Sequence, residues 1–392
     1  MRNVYADCGA TTPLNSDVFQ AMLPFLQEEY GNPSSMHSWG QRTAKAIMQA
    51  RAQVAALVGA KPQEVIFTSG GTEADNLALR GAAIANRKKG NHLITSAIEH
   101  PAVLNTVNAL KKEGFEVTIL PVDREGKISI EELKAAIRPE TILVSIMHAN
   151  NEIGTIQPIR EIGKVCRARG ILFHTDAVQS AGKLPLDLEE DNLDLITLSA
   201  HKIYGPKGVG ALVARRGVAL RPVTTGGAHE KGLRPGTENV PGIVGFGKAA
   251  EMALQEKTLE AASLSRLGSD LARKLLQIPG SMLNGHPTDR LPGNVNVSFP
   301  GIEGESLVLM LDQKGIAASS GSACSSHSLD PSHVLLAIGL AHVEAHGSLR
   351  FSLGRDATEE DVDAIVAALT PIVERLRAMS PIADQALKGA VV

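Results

Sequence analysis

The sequence predicts an α/β protein with a mostly parallel, seven-stranded sheet and a second, smaller α+β domain. At 392 residues the chain is too long for one ordinary hydrophobic core, so two domains are expected. Between residues 64 and 214, short β-branched runs alternate with stretches of helical length. Most of these runs are apolar nearly throughout, which is typical of parallel strands that are covered by helices on both faces.

The predicted elements of the large sheet follow one another along the chain. Its strands are expected at 64–68, 92–96, 116–120, 141–147, 171–175, 194–199 and 209–214. Thr72–Lys89 and Ile159–Arg169 lie between strands and contain few helix breakers, so both are predicted to be helices. A long helical stretch, roughly Val240–Gln277, then leads into the smaller domain.

The smaller domain is predicted from four segments near the C-terminus. NVNVSF (294–299) and SLRFSL (348–353) have the pattern of strands, and GESLVLMLDQ (304–313) has the pattern of a helix. A final helix is expected after Thr358, because three acidic residues follow this hydroxyl residue and favour a helix N-terminus.

Composition excludes several classes of function. The formal net charge of −3, from 39 basic and 42 acidic side chains, provides no basic field that would attract nucleic acid. No run approaches the ~18 apolar residues needed to span a bilayer, and the first residues lack the layout of a signal peptide. The three cysteines, Cys8, Cys166 and Cys324, are few and odd in number, which fits a reducing cytoplasm.

Two motifs at strand ends each allow a structural and a functional interpretation. In TSGGTEADN (68–76), two glycines, the second of them Gly71, precede Thr72 at a predicted helix N-terminus. The motif is either a phosphate cradle of free backbone N–H groups or an ordinary turn with Thr72 as the helix cap. In LSAHKIYGPKG (198–208), Lys202 is either a solvated residue at the rim of the sheet or a desolvated amine that can form a Schiff base.

Polar side chains gather just beyond the C-terminal ends of successive predicted strands. Asp176 is either a helix cap or the carboxylate that keeps a pyridinium nitrogen protonated, and His100 is either structural or stacked on a planar cofactor. Ligands of open α/β sheets bind at this edge, where so many polar groups are costly to bury without a charged ligand. The set favours a phosphorylated aromatic aldehyde cofactor over NAD or ATP. Its members are Thr72, His100, Asn151, Asp176, Gln179, Ser199, His201 and Lys202.

Cys324 has the surroundings of a reactive thiol. It lies in AASSGSACSSHSLDPSH (317–333), a run of small and polar residues in which a buried structural cysteine would be unusual. It is either a reagent on an exposed loop or an incidental surface cysteine. Cys166, within a helical stretch, is predicted to be inert filler. His342 and His346 have helical spacing, but no carboxylate or cysteine completes a plausible set, so no metal is predicted.

The chain resembles the group I cysteine desulfurases, the NifS/IscS-like branch of the fold-type-I pyridoxal-phosphate enzymes. The resemblance extends nearly from end to end through motifs in the same order. They are YADCGATTP, GNPSSMHSWG, FTSGGTEADNLA, EHPAVL, HANNEIGTIQP, HTDAVQS, SAHKIYGPKG, RPGTEN, SSGSACSS and LRFSLGR. The resemblance implies a fold-type-I transferase with a large pyridoxal 5′-phosphate-binding domain at 13–257. Residues 1–12 and 258–392 would form the small domain that carries the catalytic cysteine loop.

The resemblance also implies how the cofactor is held. Lys202 would bind it as a Schiff base, and Asp176 would pair with its pyridinium nitrogen. Gln179 would pair with its phenolic oxygen, and His100 would stack on its ring. The phosphate would be bound by the motif of Gly71 and Thr72, by Ser199 and His201, and by Thr237 of the partner subunit.

The implied activity is that of a cysteine desulfurase. Asn151 and Arg350 would hold the carboxylate of L-cysteine, and Cys324 would take its sulfur as a persulfide while L-alanine leaves. The sulfur would pass to an iron–sulfur scaffold or another acceptor protein, and the enzyme would be a cytoplasmic homodimer. One departure is Cys8, followed by Gly9, where the family usually has Asn or Tyr.

Two other hypotheses remain open from the sequence. A selenocysteine lyase or an aminotransferase of the same fold would contain the cofactor but would not need Cys324 for turnover. A sulfur carrier or scaffold would use Cys324 without any cofactor and would therefore be colourless.

Overall fold

The structure, a computed structural model, describes residues 2–320 and 331–381. Up to the end of the large sheet the elements are β1 (Val4–Tyr5), α1 (Ser16–Gln27), α2 (Ser38–Leu57), β2 (Val65–Thr68), α3 (Gly71–Asn86), β3 (His92–Ser96), α4 (Pro101–Lys112), β4 (Glu116–Leu120), α5 (Ile130–Ala136), β5 (Thr141–Ser145), α6 (Ile159–Ala168), β6 (Leu172–Asp176), β7 (Leu195–Ser199) and β8 (Gly210–Ala214). The elements that follow are α7 (Val240–Leu275), β9 (Met282–Leu283), β10 (Asn294–Ser298), α8 (Gly304–Asp312), β11 (Ile316–Ala317), β12 (Ser319–Ser320), α9 (His333–Ala337), α10 (His342–His346), β13 (Ser348–Ser352) and α11 (Glu359–Met379).

The large sheet has the strand order β2-β8-β7-β6-β5-β3-β4. Strands β3 to β7 pair in parallel, and β8 lies antiparallel between β2 and β7. This confirms the predicted mostly parallel, seven-stranded sheet. Because β2 and β7 are both antiparallel to β8, the carboxyl ends of β2, β3, β5, β6 and β7 lie at the same edge, where a ligand is expected.

Alternate residues of each strand face opposite layers of helices. Leu93 and Leu195 pack with residues of α3 and α4. Their neighbours Ile94 and Ile196 pack on the other side, with residues of α2, α6 and α7. Since these strands carry apolar side chains on both faces, the sheet is most stable between two helical layers. The structure thereby confirms the predicted helices on both faces.

A second core lies around β10 and β13. Phe351 packs there with residues of α8 and α11, and Val4 and Ala6 from the N-terminus join them. The long helix α7 contributes to both cores, because Phe246 lies in the first and Leu271 in the second. The predicted domain boundary falls inside this helix, and the division into two domains stays a prediction.

The last helix, α11, begins where the sequence predicts. Thr358 Oγ1 accepts a hydrogen bond from the N–H of Asp361 at 3.3 Å, and the Asp361 carboxylate accepts one from the N–H of Thr358 at 2.9 Å. This reciprocal cap satisfies two backbone donors that would otherwise lack partners. Among the described residues, none of the helices combines the length and apolar character that a membrane crossing requires.

Candidate active site

A cavity of about 290 Å³ opens at the carboxyl edge of the large sheet. It is lined by residues at or just after the ends of strands of this sheet, by the N-terminal segment that follows β1, and by one side chain of β13. The predicted site residues that line it are Gly71, Thr72, His100, Asn151, Asp176, Gln179, Ser199, His201, Lys202 and Arg350. The lining residues that were not predicted are Gly9, Ala10, Asp75, Met147 and Val178. The structure thus brings the candidates together, and the role of each stays a prediction.

One end of this site is suited to an anion. Helix α3 begins at Gly71, and the preceding Gly70 has no side chain to cap the first N–H groups. This helix N-terminus lies beside Ser199 and His201, where its partial positive charge would stabilise a phosphate. The close packing requires glycine, because a Cβ atom at Gly71 would come within 2.8 Å of Val178 Cγ2.

Lys202 is buried and not solvated at the rim of the sheet. It follows β7 within a single 3₁₀ turn, Ala200–Lys202. Its Nζ donates to the carbonyl oxygens of Gly9 at 2.5 Å and Ala10 at 2.7 Å. Burial of the ammonium favours the interpretation of Lys202 as a desolvated amine, which is the form that a Schiff base requires.

Three buried carboxyl groups lie at or beside the cavity. Burial raises the pKa of Asp75, Asp176 and Glu99, and for Asp75 and Glu99 the charge of Asp176 adds to the rise. Asp75 is 1% exposed, and its Oδ1 has no hydrogen-bond partner among the described residues. Asp176 Oδ1 accepts from the N–H of Val178 at 2.9 Å. A cation in the cavity would favour the ionised form of these groups.

His100 caps α4 and also faces the cavity. Its Nδ1 accepts a hydrogen bond from the N–H of Ala102 at 3.1 Å. Burial lowers the pKa of His100, and it lowers the pKa of His201 to about 4, so both rings are neutral at pH 7. A neutral ring can lie against an aromatic cofactor, so the structural and the functional interpretations of His100 are compatible.

Arg350 is a second buried basic residue of the site. It lies in β13 and is 2% exposed. Its Nη2 donates to Asp7 Oδ1 at 2.8 Å, and its Nη1 donates to the carbonyl oxygen of Asn151 at 3.2 Å. In the part of the chain that the structure describes, Arg350 Nε has no hydrogen-bond partner. A buried guanidinium that lines a cavity is suited to bind a carboxylate.

Two of the three cysteines lie in the described part of the chain, and both are buried. Burial raises the pKa of Cys8 to about 11 and that of Cys166 to about 12. Both thiols are therefore protonated and poorly nucleophilic at neutral pH. Cys166 packs in the large core, and its inertness stays a prediction. Cys324 lies outside the described residues.

Thr237 is not among the residues that line the cavity of its own chain. It is exposed on the loop that follows the 3₁₀ turn His229–Gly232. Glu230 anchors this turn, because its carboxylate accepts hydrogen bonds from Arg51 at 2.5 and 2.7 Å and from the N–H of Phe67 at 3.0 Å. The predicted contact with a partner subunit stays a prediction.

The sequence analysis missed Asp75 and the main chain of Gly9 and Ala10. Asp75 follows Ala74 and precedes Leu77 on the buried face of α3. An acidic residue on an apolar helix face was a usable signal for a buried functional carboxylate. Gly9 and Ala10 contribute carbonyl oxygens, and no side-chain pattern marks those.

The donor set fits the predicted cofactor, pyridoxal 5′-phosphate. The helix N-terminus at Gly71 suits its phosphate, the amine of Lys202 suits its aldehyde, and the buried Asp176 suits a protonated ring nitrogen. Within residues 2–320 and 331–381, no group of three His, Cys, Asp or Glu side chains could hold a metal ion.

Known proteins resemble this chain over nearly its whole length. Residues 4–365 match the family model for class-V aminotransferases. The chain is 55% identical over 379 residues to cysteine desulfurase IscS from Methanosarcina thermophila, a match that covers 97% of this chain and 94% of the relative. A solved NifS-like protein superposes with a TM-score of 0.90 and 40% identity over 96% of this chain and 100% of its own. A structure of SspA in complex with cysteine superposes with a TM-score of 0.79 and 39% identity, covering 89% of this chain and 98% of its own.

Proposed function

The chain belongs to the cysteine desulfurases of the class-V aminotransferase family, and we propose that it moves the sulfur of L-cysteine to Cys324 and releases L-alanine. It is a pyridoxal-phosphate-dependent enzyme. The observation that carries the proposal is the cavity in which a buried lysine, buried acids, a helix N-terminus and a buried arginine converge. SspA, which is 39% identical, has been solved in complex with cysteine, and this supports cysteine as the substrate.

Different residues of the cavity would bind different parts of the cofactor. Lys202 would bind the aldehyde carbon, Asp176 would hold the proton on the ring nitrogen, and Gln179 and His100 would position the ring. The α3 N-terminus with Ser199 would hold the phosphate. When bound, the protonated ring withdraws electrons from the substrate Cα and makes its proton acidic.

Three side chains of this chain would then act on the substrate. Arg350 would pair with the α-carboxylate, and the neighbouring Asn151 would help to orient it. Lys202 Nζ would remove the proton from Cα, because a lysine at this position is desolvated and close to the reacting atoms. A cofactor and substrate in the cavity would displace water from it, which would strengthen each of these electrostatic contacts.

Sulfur transfer would occur at Cys324. Its thiolate would attack the sulfur of the substrate, so that an S–S bond forms as the Cβ–S bond breaks. The electron pair of the broken bond stays with the three-carbon product, which takes up protons and leaves as L-alanine. One cysteine and one thiol thus give one alanine and one persulfide. Cys8 and Cys166 are buried and protonated, which supports Cys324 as the acceptor.

We further propose that the enzyme is a cytoplasmic homodimer that passes the sulfur to an iron–sulfur scaffold or another acceptor protein. The exposed, glycine-rich loop that carries Thr237 supports a phosphate site shared between two subunits. The small and odd number of cysteines supports a reducing compartment.

Replacing Cys324 by serine tests the sulfur transfer. The Cys324→Ser variant should still bind the cofactor and cysteine, which is measured as a substrate-dependent change in absorbance. It should not release alanine, because a neutral hydroxyl is a poor nucleophile compared with a thiolate whose unperturbed pKa is about 8.5. Wild type treated with cysteine should carry one additional sulfur on the peptide of Cys324, removable by a thiol reductant, as measured by mass spectrometry.

Cys8→Ala is the matched control, because it removes a buried thiol close to the cavity and should leave the label in place. A selenocysteine lyase or an aminotransferase predicts instead that the serine variant turns over at the full rate. A persulfide found mainly on Cys8, or full desulfuration by the serine variant, would contradict the assignment to Cys324.

A further inference from the structure

The N-terminal strap, which we define as residues 7–12, contacts several side chains of the candidate site. The carbonyl oxygen of Gly9 accepts hydrogen bonds from Lys202 Nζ at 2.5 Å and from Gln179 Nε2 at 2.9 Å. At its other end the strap reaches the arginine of β13 through the side chain of Asp7. The strap therefore connects the lysine side of the cavity with its carboxylate-binding side.

Asp7 holds one nitrogen of Arg350. The distance from Asp7 Oδ1 to Arg350 Nη2 is 2.8 Å, and the two side chains are 20% and 3% exposed. The carbonyl oxygen of Asn151 accepts from Nη1, while Nε has no hydrogen-bond partner among the described residues. The planar guanidinium is thus held at Nη1 and at Nη2, and each of these nitrogens carries a second N–H beyond the one in these contacts.

The strap is itself fixed to β13, so Asp7 has a defined position relative to Arg350. The N–H of Cys8 donates to the carbonyl oxygen of Ser352 at 3.0 Å, and the N–H of Gly9 donates to Ser352 Oγ at 2.7 Å. A Cβ atom at Gly9 would lie 2.9 Å from Ser352 Oγ and 3.6 Å from Arg350 Cζ, so the strap can approach β13 this closely because Gly9 has no side chain. A backbone held in this way can fix the plane of the Arg350 guanidinium through Asp7.

We propose that Asp7 is a positioning residue that orients Arg350 for the α-carboxylate of the amino-acid substrate. The proposal rests on the proposed function, because it takes Arg350 to be the carboxylate ligand. Bidentate pairing of arginine with a carboxylate depends on the plane of the guanidinium, so losing one anchor weakens binding without removing the positive charge. Asp7 thereby contributes to selection of substrates that carry a free carboxylate.

The test compares two ligands that differ only in the carboxylate. L-alanine and L-alaninamide are titrated into the cofactor-loaded enzyme, and each Kd is read from the change in cofactor absorbance. In Asp7→Ala the Kd for L-alanine should rise about tenfold, the effect of losing one hydrogen bond to a charged group. The Kd for L-alaninamide should stay close to that of wild type. Asp7→Asn keeps an acceptor oxygen at the same position and should restore most of the affinity for L-alanine.

Asp191→Ala is the matched control. Asp191 accepts from Arg160 Nε at 3.0 Å and is outside the cavity, so its removal breaks a similar ion pair without touching Arg350. Should the alanine variant at position 7 fail to fold, Asp7→Ser supplies the same test with a side chain too short to reach the arginine.

Two results would overturn the proposal. One is an unchanged Kd for L-alanine in the alanine or serine variant. The other is an equal loss of affinity for both ligands, which would indicate general damage to the cavity. Neither titration requires sulfur transfer. If the wild-type enzyme formed no alanine from cysteine, the proposed function would be refuted, but the Kd values for L-alanine and L-alaninamide would still test the role of Asp7.

Discussion

Replacing Glu99 by glutamine measures how strongly the interior beside the cavity disfavours a negative charge. Glu99 is completely buried and accepts hydrogen bonds from Ser96 Oγ at 2.6 Å and from the N–H of Met147 at 3.0 and 3.1 Å. Burial is the largest influence on this group and raises the pKa of Glu99 from 4.5 to about 8, even though these hydrogen bonds act in the opposite direction.

The magnitude follows from this change in pKa. At about 1.36 kcal/mol for each pH unit, ionising Glu99 in the folded chain costs roughly 5 kcal/mol more than in the unfolded chain. Since its pKa is higher in the folded chain, the folded state binds the proton more tightly. The contribution of Glu99 to the free energy of unfolding is therefore complete at low pH and is lost as the pH rises from about 4.5 to about 8.

Glutamine does not ionise, so Glu99→Gln lacks this dependence. The free energy of unfolding of the variant minus that of wild type should therefore increase by roughly 5 kcal/mol as the pH rises across that range. Urea unfolding of the cofactor-free protein, followed by circular dichroism at several pH values, measures the difference, in which other titrating groups cancel. Glu140→Gln, at an exposed position, is the matched control for removal of one carboxylate. A difference independent of pH would refute the reasoning.

Two further predictions concern the cofactor. Lys202→Ala should lose the absorbance of the covalently bound cofactor and all turnover, since the buried amine is the proposed attachment point. A variant that kept the native spectrum and the full rate would show that another lysine holds the cofactor. Lys207 is the nearest candidate along the chain. Thr237→Ala should weaken cofactor retention, measured as absorbance remaining after dialysis, because Thr237 is proposed to complete the phosphate site of the partner subunit. Sedimentation that shows an active monomer at the assay concentration would contradict the shared site.

The edge at which the site forms was predictable from the sequence. Parallel strands bring their carboxyl ends to one side, so residues at the ends of successive strands, such as Asp176 and Ser199, were expected at the same edge. The state of Lys202 was not predictable, because its burial depends on two main-chain carbonyls of the N-terminal strap. The pairing of Asp7 with Arg350 joins residues 343 positions apart, and no local pattern marks such a contact.

That separation gives the N-terminal strap a consequence for the order of folding. The strands of the large sheet lie between residues 65 and 214, so they can pair before the rest of the chain is available. The strap is synthesised first, yet its partners in β13 come among the last strands, and contacts between such distant positions form slowly. We therefore expect a nascent chain to build its sheet and its anion-binding helix N-terminus early. Its ability to recognise an amino acid would arise only when β13 closes against the strap, which makes carboxylate binding a marker of completed folding.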